Sequence, residues 1–471
     1  MQKRKKKGPI FILIILFVIS LAAPTKASDI TKEEILNQIQ SIEKNSTENK
    51  LNSSLEELLN NDNADIKSQP EVNIQDFGAK GNGVDSDVDA LKKAIDFLYY
   101  KKGGGSIYFP PTAQTYVIDK PVGIPKNINL IGDNTDICRN FDYTINSSAF
   151  IFDGNNIMEG FIYDGGSIRI PDTGIQYEAQ YYHEFHVESG GGCIFYNNVF
   201  LNAKGTFIGG NGSNTIVFNN TFGEYGDHCF YVGGNSLQAT NNIIISNNTF
   251  KALKSTRDAI KVTNSGENII IANNSFDVPE GNLLYLYKSS DPSYENSFQD
   301  DLRNISFTYN TVKNCNNIGL IGRDPSPSES AYGKIDQIKI SNNTIDGCTG
   351  YLKIGESLWD YDFFNGTNID ISNNIFKQTP EIQLNCAGDG LNVNITNNQA
   401  YGHPLNGIFI LANGKATALN LANNVLDFDD DTTIVKTPDK NTYTTTAEGL
   451  VAIMPEEIIL SNNKTTSSLD S

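Results

Sequence analysis

Metal-binding side chains are scarce in this chain, whose 471 residues hold four histidines and six cysteines. No Cys-x-x-Cys occurs and the histidines are scattered, so no zinc site of ordinary ligand spacing is present. There is no EF-hand loop and no glycine-aspartate calcium nonapeptide. The phrase GAKGNG at residues 78–83 lacks the Lys-Ser/Thr that completes a phosphate loop, so it reads as a turn at a strand end. Positive charge is also short: 36 Lys and Arg face 55 Asp and Glu, for a formal net charge of −19. That balance excludes nucleic acid and anionic lipid as natural partners, and an acidic polymer would have to meet a local cluster of cations or a divalent ion. The one long apolar run, Phe11 to Ala23, is too short to span a bilayer comfortably. With MQKRKKK before it and Thr25-Lys26-Ala27 after it, residues 1–27 read as a secretory signal peptide. Export to the extracellular space or cell surface is expected, with a monomer free of the membrane after cleavage.

What the chain does contain is a repeat. Two asparagines followed by a small residue and an apolar one recur as FYNNVF, VFNNTF, ISNNTF, IANNSF, ISNNTI, ISNNIF, ITNNQA, LANNVL and LSNNKT, with FTYNTV as a variant at Asn310. The intervals from Asn198 to Asn463 run from 22 to 39 residues, which is the signature of a solenoid. Each phrase sits in an alternating Ile-rich run with no helical apolar stripe, so the unit is β. The predicted fold class is all-β, a single-stranded right-handed parallel β-helix whose rungs need about 20 residues and whose longer intervals carry loops. Asparagine tolerates the left-handed turn conformation and can bond its copy on the next rung, so the repeat reads as a scaffold ladder. Cys315 and Cys348 each lie five residues after their repeat asparagine and would stack about 4.8 Å apart. A disulfide and a reduced sulfur ladder both fit that spacing. No pairing of Cys138, Cys193, Cys229 or Cys386 follows from the sequence.

Along the chain, residues 28–70 form a polar spacer that reads as partly helical or disordered, and residues 71–471 form the β-helix domain. Residues 72–133 open it with a strand, a glycine-rich turn, a helix starting near Asp85 to Asp87, a triple-glycine turn and further strands. Residues 164–192 interrupt the repeat with aromatics, two histidines and carboxylates, and read as a long loop that walls a groove. Residues 427–471 are expected to cover the C-terminal end.

The opening resembles that of the pectate lyase superfamily, in its rhamnogalacturonase and epimerase-like branch. The likeness rests on Asp76-Phe77-Gly78-Ala79-Lys80-Gly81-Asn82-Gly83, Gly103-Gly104-Gly105, Tyr108-Phe109-Pro110 and Leu130-Ile131-Gly132. It implies a helix that caps the open end of the β-helix, with Asp76, Asp85 and Asp87 in structural roles.

Aligning GEYGDHCFYVGG, KSTRDAIKVTN and PEGNLLYLYKS on Val232, Val262 and Leu286 turns Phe230, Ile260 and Leu284 inward as well. Tyr231, Lys261 and Tyr285 then point outward in one column, and His228, Asp258 and Asn282 form a second at the preceding turn. Asp227 and Arg257 stand beside it, while Tyr225, Tyr231, Tyr285 and Tyr287 would offer stacking faces to sugar rings. The expected catalytic set is His228, Lys261, Arg257, Asp258 and Tyr231, and the expected substrate-binding set is Asp227, Tyr225, Tyr285, Tyr287 and Asn282. The bland alternative is an exposed salt bridge between Asp258 and Arg257 or Lys261, with His228 a turn residue.

GDHCFYVGG and AIKV also resemble the GHG-x-S-x-G and RIK phrases of polygalacturonase-type hydrolases, with His228 on the histidine and Lys261 on the lysine. Ala259 stands where that family has arginine, and the preceding rung AKGTFIGG lacks the Asp pair. An inverting hydrolase needs two carboxylates across the scissile bond, so hydrolysis ranks second. β-Elimination or C5 epimerisation of a uronate needs its carboxylate neutralised and its C5 proton moved. Lys261 and Arg257 could neutralise or, one of them, act as base; His228 or Tyr231 could be acid or base, with Asp258 holding the imidazole tautomer. Calcium is the alternative neutralising ion, with Asp427 to Asp431 or Glu178 to Glu188 as oxygen donors, and no metal ligand is assigned. The expected partner is an extracellular, uronate-containing polysaccharide. A non-catalytic carbohydrate-binding or adhesive solenoid is the competing reading.

Overall fold

The computed structural model describes most of residues 71–465. Residues 1–70 and 466–471 lie outside the description, as do several internal segments, the longest being 167–182, 289–301, 324–334 and 356–366. The expected signal peptide and spacer therefore fall outside the described residues, as do most of the 164–192 loop and Asp429 to Asp431 of the acidic run.

Among the described residues, 35 strands join one continuous sheet whose pairings are parallel throughout, and a short antiparallel hairpin, Tyr443–Thr446 with Gly449–Ala452, stands apart. Each turn of the chain contributes three strands. One turn, for example, runs through Phe230–Gly233, Thr240–Ser246 and Thr249–Lys251 before Asp258–Thr263 pairs with the first of them. The product is a right-handed parallel β-helix. Its strands are rich in Ile, Val and Phe because both ends of a stiff, branched side chain find neighbours on a pleated surface. Ile245, Ile271, Phe307 and Ile340 follow one another in register inside the coil and are buried. The rings of Phe222, Phe250 and Phe276 stack with centroids 5.0 and 4.6 Å apart.

The asparagine corner divides two tasks between the paired residues. The first asparagine takes the left-handed conformation, with φ of 54° at Asn219, 56° at Asn247 and 56° at Asn273, and Tyr309 does so at 57° in the variant phrase. The second is buried and makes the ladder. The Asn248 backbone N–H and Nδ2 both donate to Asn274 Oδ1, at 2.9 and 3.1 Å, and Nδ2 also donates to the Val217 carbonyl at 2.9 Å. The same bonds run unbroken from Asn198 to Asn463. A corner turn leaves main-chain groups without strand partners, and the buried amide supplies them.

The cap helix spans Val88–Lys102 and ends at Gly103, whose φ of 77° suits glycine. It buries Val88, Leu91, Ala94, Ile95 and Leu98 against the first coil. Asp87, at its start, is buried and bonds elsewhere: its carboxylate accepts from the backbone N–H of Lys80 at 2.6 Å and of Val117 at 2.9 Å. It ties the glycine-rich turn to a strand, a structural role as expected. Cys315 and Cys348 form a parallel bridge on adjacent rungs and both are free, buried thiols; Cys138, Cys193 and Cys229 are also free, and Cys386 lies outside the described residues. At the far end, Thr433–Lys436, Ile458–Ser461 and Lys464–Thr465 continue the stack beyond Asp427.

Candidate functional site

The register pairs Tyr231 with Lys261 and Lys261 with Tyr285, as the alignment predicts, and Asp258 with Asn282. Phe230, Val232, Ile260, Val262, Leu284 and Leu286 are all buried on the inner side. The outward column continues from Tyr285 to Leu320 and from Leu320 to Lys353. The second column continues from Asn282 to Asn317. Between them lies a groove of about 360 Å³, lined by Arg257, Asp258, Lys261, Asn282, Tyr285, Asn317, Tyr351 and Lys353 among others.

One side of the groove is a hydrogen-bonded polar rail. Asn282 Nδ2 donates to Asp258 Oδ1 at 2.9 Å, Asn317 Nδ2 donates to Asn282 Oδ1 at 2.8 Å, and the Tyr351 backbone N–H donates to Asn317 Oδ1 at 3.0 Å. Opposite it, the Lys261 ammonium lies 4.6 Å from the centroid of the Tyr231 ring and 5.7 Å from that of Tyr285. A cation over an aromatic face is electrostatically favourable. Burial nevertheless pushes the Lys261 pKa down, against the opposing pull of Asp227 and Asp258.

Beneath this face lies a chain of charged groups. Arg257 Nε donates to Asp227 Oδ1 at 3.2 Å, Asp227 Oδ2 is 3.3 Å from His228 Nε2, and His228 Nδ1 is 2.8 Å from the Asp258 backbone oxygen. The last distance requires the proton on Nδ1, so Nε2 of a neutral ring faces Asp227 as an acceptor. Burial lowers the His228 pKa, which favours that neutral ring, although Asp227 pulls the other way. His228 Nε2 and Asp227 Oδ2 are both buried and make no hydrogen bond.

Several expected roles change. His228 is fully enclosed, with the Tyr231 ring against it at 5.4 Å, and does not line the groove. Its imidazole is oriented by the Asp258 main-chain oxygen, where the sequence reading had the Asp258 carboxylate. Tyr225 is 1% exposed and its hydroxyl donates to the Arg257 carbonyl at 3.3 Å, so it presents no ring to a ligand. Its position at a turn, bridged to Ala203, carries the ring inward. Tyr287 pairs in register with Thr263, and its side chain lies outside the described residues. Asp258 is bound by Asn282 and is 8% exposed, which sets aside the exposed salt bridge with Arg257 or Lys261; the arginine pairs with Asp227. Missed at first were Asn317, Tyr351 and Lys353. Leu320 and Lys353 each follow their corner asparagine, Asn310 or Asn343, by ten residues, so the same alignment carried two rungs further would have found them. Among the described residues no group of three or more His, Cys, Asp or Glu side chains is arranged to hold a metal, and no helix is long and apolar enough to cross a membrane.

Residues 71–283 match the family of rhamnogalacturonase A/epimerase, pectate lyase-like proteins. The match covers the cap and the first coils, and the fold of the described residues is that of a parallel β-helix. The A-module of the mannuronan C-5 epimerase AlgE6 from Azotobacter vinelandii has the same fold, with a TM-score of 0.50 and 13% identity over 83% of this chain and 98% of that one. In sequence, 190 residues are 27% identical to plasmin and fibronectin-binding protein A of Streptococcus pneumoniae, covering 38% of this chain and 24% of that protein. A stretch of 40 residues is 52% identical to alginate lyase 7 of Azotobacter vinelandii, covering 8% of this chain and 5% of that protein. The chain thus spans a quarter or less of the length of these two curated relatives. The matched family and the epimerase and lyase among these relatives are carbohydrate-active.

Proposed function

We propose that this protein acts on an extracellular uronate-containing polysaccharide by withdrawing the C5 proton of a uronate, leading to β-elimination or C5 epimerisation. The observation that carries the reading is the groove itself. In a chain of net charge −19 it gathers Arg257, Lys261 and Lys353 with the rings of Tyr285 and Tyr351, around one hydrogen-bonded carboxylate, Asp258. Cations placed together against the charge of the whole chain suit an anionic ligand, and tyrosines suit sugar rings.

In this reading Arg257, held by Asp227, neutralises the uronate carboxylate, since a guanidinium stays charged at any working pH. Lys261, with its pKa lowered by burial, is the group suited to take the C5 proton. In elimination the C5 electron pair forms the C4–C5 double bond as the C4–O bond breaks, and the departing oxygen takes a proton, for which Tyr231 stands beside Lys261. In epimerisation the C4–O bond survives and a proton returns to the opposite face of C5. Asp227 positions Arg257 from below, with the His228 ring enclosed beside it. Hydrolysis is less well served, because among the described residues Asp258 is the one carboxylate lining the groove and Asp227 is engaged beneath it. Residues 1–27 as a signal peptide agree with an exported monomer acting outside the cell. The streptococcal relative, named for binding plasmin and fibronectin, favours a second reading in which the groove binds without turnover.

Purified protein incubated with pectic, alginate and glycosaminoglycan polymers separates these outcomes. Ultraviolet-absorbing unsaturated ends mark the lyase, altered uronate stereochemistry without cleavage marks the epimerase, and new saturated reducing ends would move the assignment to a hydrolase. Binding without any product, unchanged in Lys261→Ala, would leave the adhesive reading.

A further inference from the structure

The outward column of the groove sheet carries its cations at a regular interval. Lys261 pairs with Tyr285, Tyr285 with Leu320, and Leu320 with Lys353. Lys353 pairs with Gln383, Gln383 with Leu411, and Leu411 with Lys436. Lysine thus occupies every third register position over six steps along the stack. At one rung per about 4.8 Å, the interval is about 14 Å.

Between the first two lysines the column holds Tyr285 and Leu320 and carries no charge. Leu320 is 7% exposed, and beside it Gly319 has φ of 135°, where a Cβ would lie 1.9 Å from the Leu284 carbonyl oxygen. Gly319 pairs with the inward-facing Leu284, so this close approach belongs to the packing of adjacent strands beneath the groove. Lys261 and Lys353 line the same groove, with Tyr285 beside the first and Tyr351 beside the second. The polar rail from Asp258 through Asn282 and Asn317 to the Tyr351 N–H runs the same three steps.

We infer that Lys353 forms a second carboxylate-binding position, three rungs from the first, where Arg257 holds a carboxylate beside Lys261, and that the groove selects a linear polyuronate that turns every third carboxylate toward the protein. One rung is close to the advance of one pyranose along an extended 1,4-linked chain, so three rungs correspond to three sugar residues. A homopolymeric uronate wound with threefold symmetry presents its carboxylates at that period. A polymer alternating uronate with an uncharged hexosamine puts its carboxylates two residues apart and meets only one lysine at a time. This inference rests on the proposed function and deepens it, by naming the charge period of the substrate.

The test is a length series. Binding of homopolymeric 1,4-linked uronate oligomers, dimer to hexamer, is measured by calorimetry on the full chain and on Lys353→Ala and Lys353→Arg, with melting temperature as a check on folding. In the unsubstituted protein, affinity should step up by about tenfold between trimer and tetramer, the first oligomer to reach both lysines, as expected for one added charge-assisted contact. The tetramer-to-trimer ratio should fall to that of an ordinary added sugar in Lys353→Ala and persist in Lys353→Arg. Oligomers with alternating uronate and hexosamine should show no such step. An unchanged ratio in Lys353→Ala, or an equal step with the alternating oligomers, overturns the inference while leaving the proposed function standing. Failure of the unsubstituted protein to bind any uronate oligomer overturns both.

Discussion

At the asparagine corner, positions from Asn198 to Asn463 carry one side chain making one set of bonds, rung after rung. On the face beside it, the outward positions of successive rungs read Tyr231, Lys261, Tyr285, Leu320 and Lys353. Both columns are built by the same coils at the same pitch. The corner repeats because every coil has the same main-chain groups to satisfy there. The face varies because its backbone is already paired within the sheet, so its side chains are free to be chosen for what they meet outside. Uniform columns hold the stack together and irregular columns carry its chemistry.

Substitutions at four positions would break or sharpen that contrast. The largest effect is expected at Lys261→Ala, which should lower turnover on a uronate polymer by roughly 10²- to 10⁴-fold with little change in melting temperature. The sign of the pH profile then tells its role. If Lys261 accepts the C5 proton it must be uncharged, so activity rises with pH through a pKa below that of an ordinary lysine. If it only neutralises the carboxylate, activity falls as pH passes that same point, and Lys261→Arg keeps turnover in place of losing it. Activity that ignores the substitution would remove Lys261 from the mechanism.

At the corner the order of effects should invert. Asn274→Ala strips the acceptor from the Asn248 N–H and amide and the donor from the Ile245 carbonyl. Orphaned buried groups cost about 1–3 kcal/mol each, so denaturant titration should register several kcal/mol of lost stability, with turnover per folded molecule preserved. One position earlier, Asn273→Ala keeps the left-handed φ of 56° but loses the short polar side chain that lets asparagine adopt it, and should cost about 1 kcal/mol, whereas Asn273→Gly should cost less. Equal losses for Asn273→Ala and Asn274→Ala would contradict the division of tasks. The smallest effect belongs to Lys313→Ala, which removes an exposed pair with Asp277 at 3.2 Å and should change stability by under about 1 kcal/mol.

The corner was readable in the sequence because its chemistry is periodic: a repeated side chain at a repeated need announces itself. Its division of labour was not, since two identical residues look alike until φ and hydrogen bonds separate them. The face was readable only by borrowing the corner's register, and that register placed Tyr231, Lys261 and Tyr285 correctly. It failed at Tyr225 and His228 for one reason. Strand alternation governs residues within a strand, and these two sit in the turn before Phe230–Gly233, where the backbone aims side chains inward to Arg257 and Asp227. Lys353 was missed for want of two more rungs, although the same rule reaches it.

Gly319 gives the groove a further property. A glycine whose absent side chain is demanded by the strand beneath it cannot be traded for a bulkier residue on one coil alone. The strand that carries Leu320 between the two lysines is therefore held at a fixed spacing from its neighbour. Change in the stack at this point is therefore expected to come by whole coils, each with its own corner asparagine. The distance between the lysines would then change only in whole pitches, and descendants of this groove would differ in the length of sugar they count.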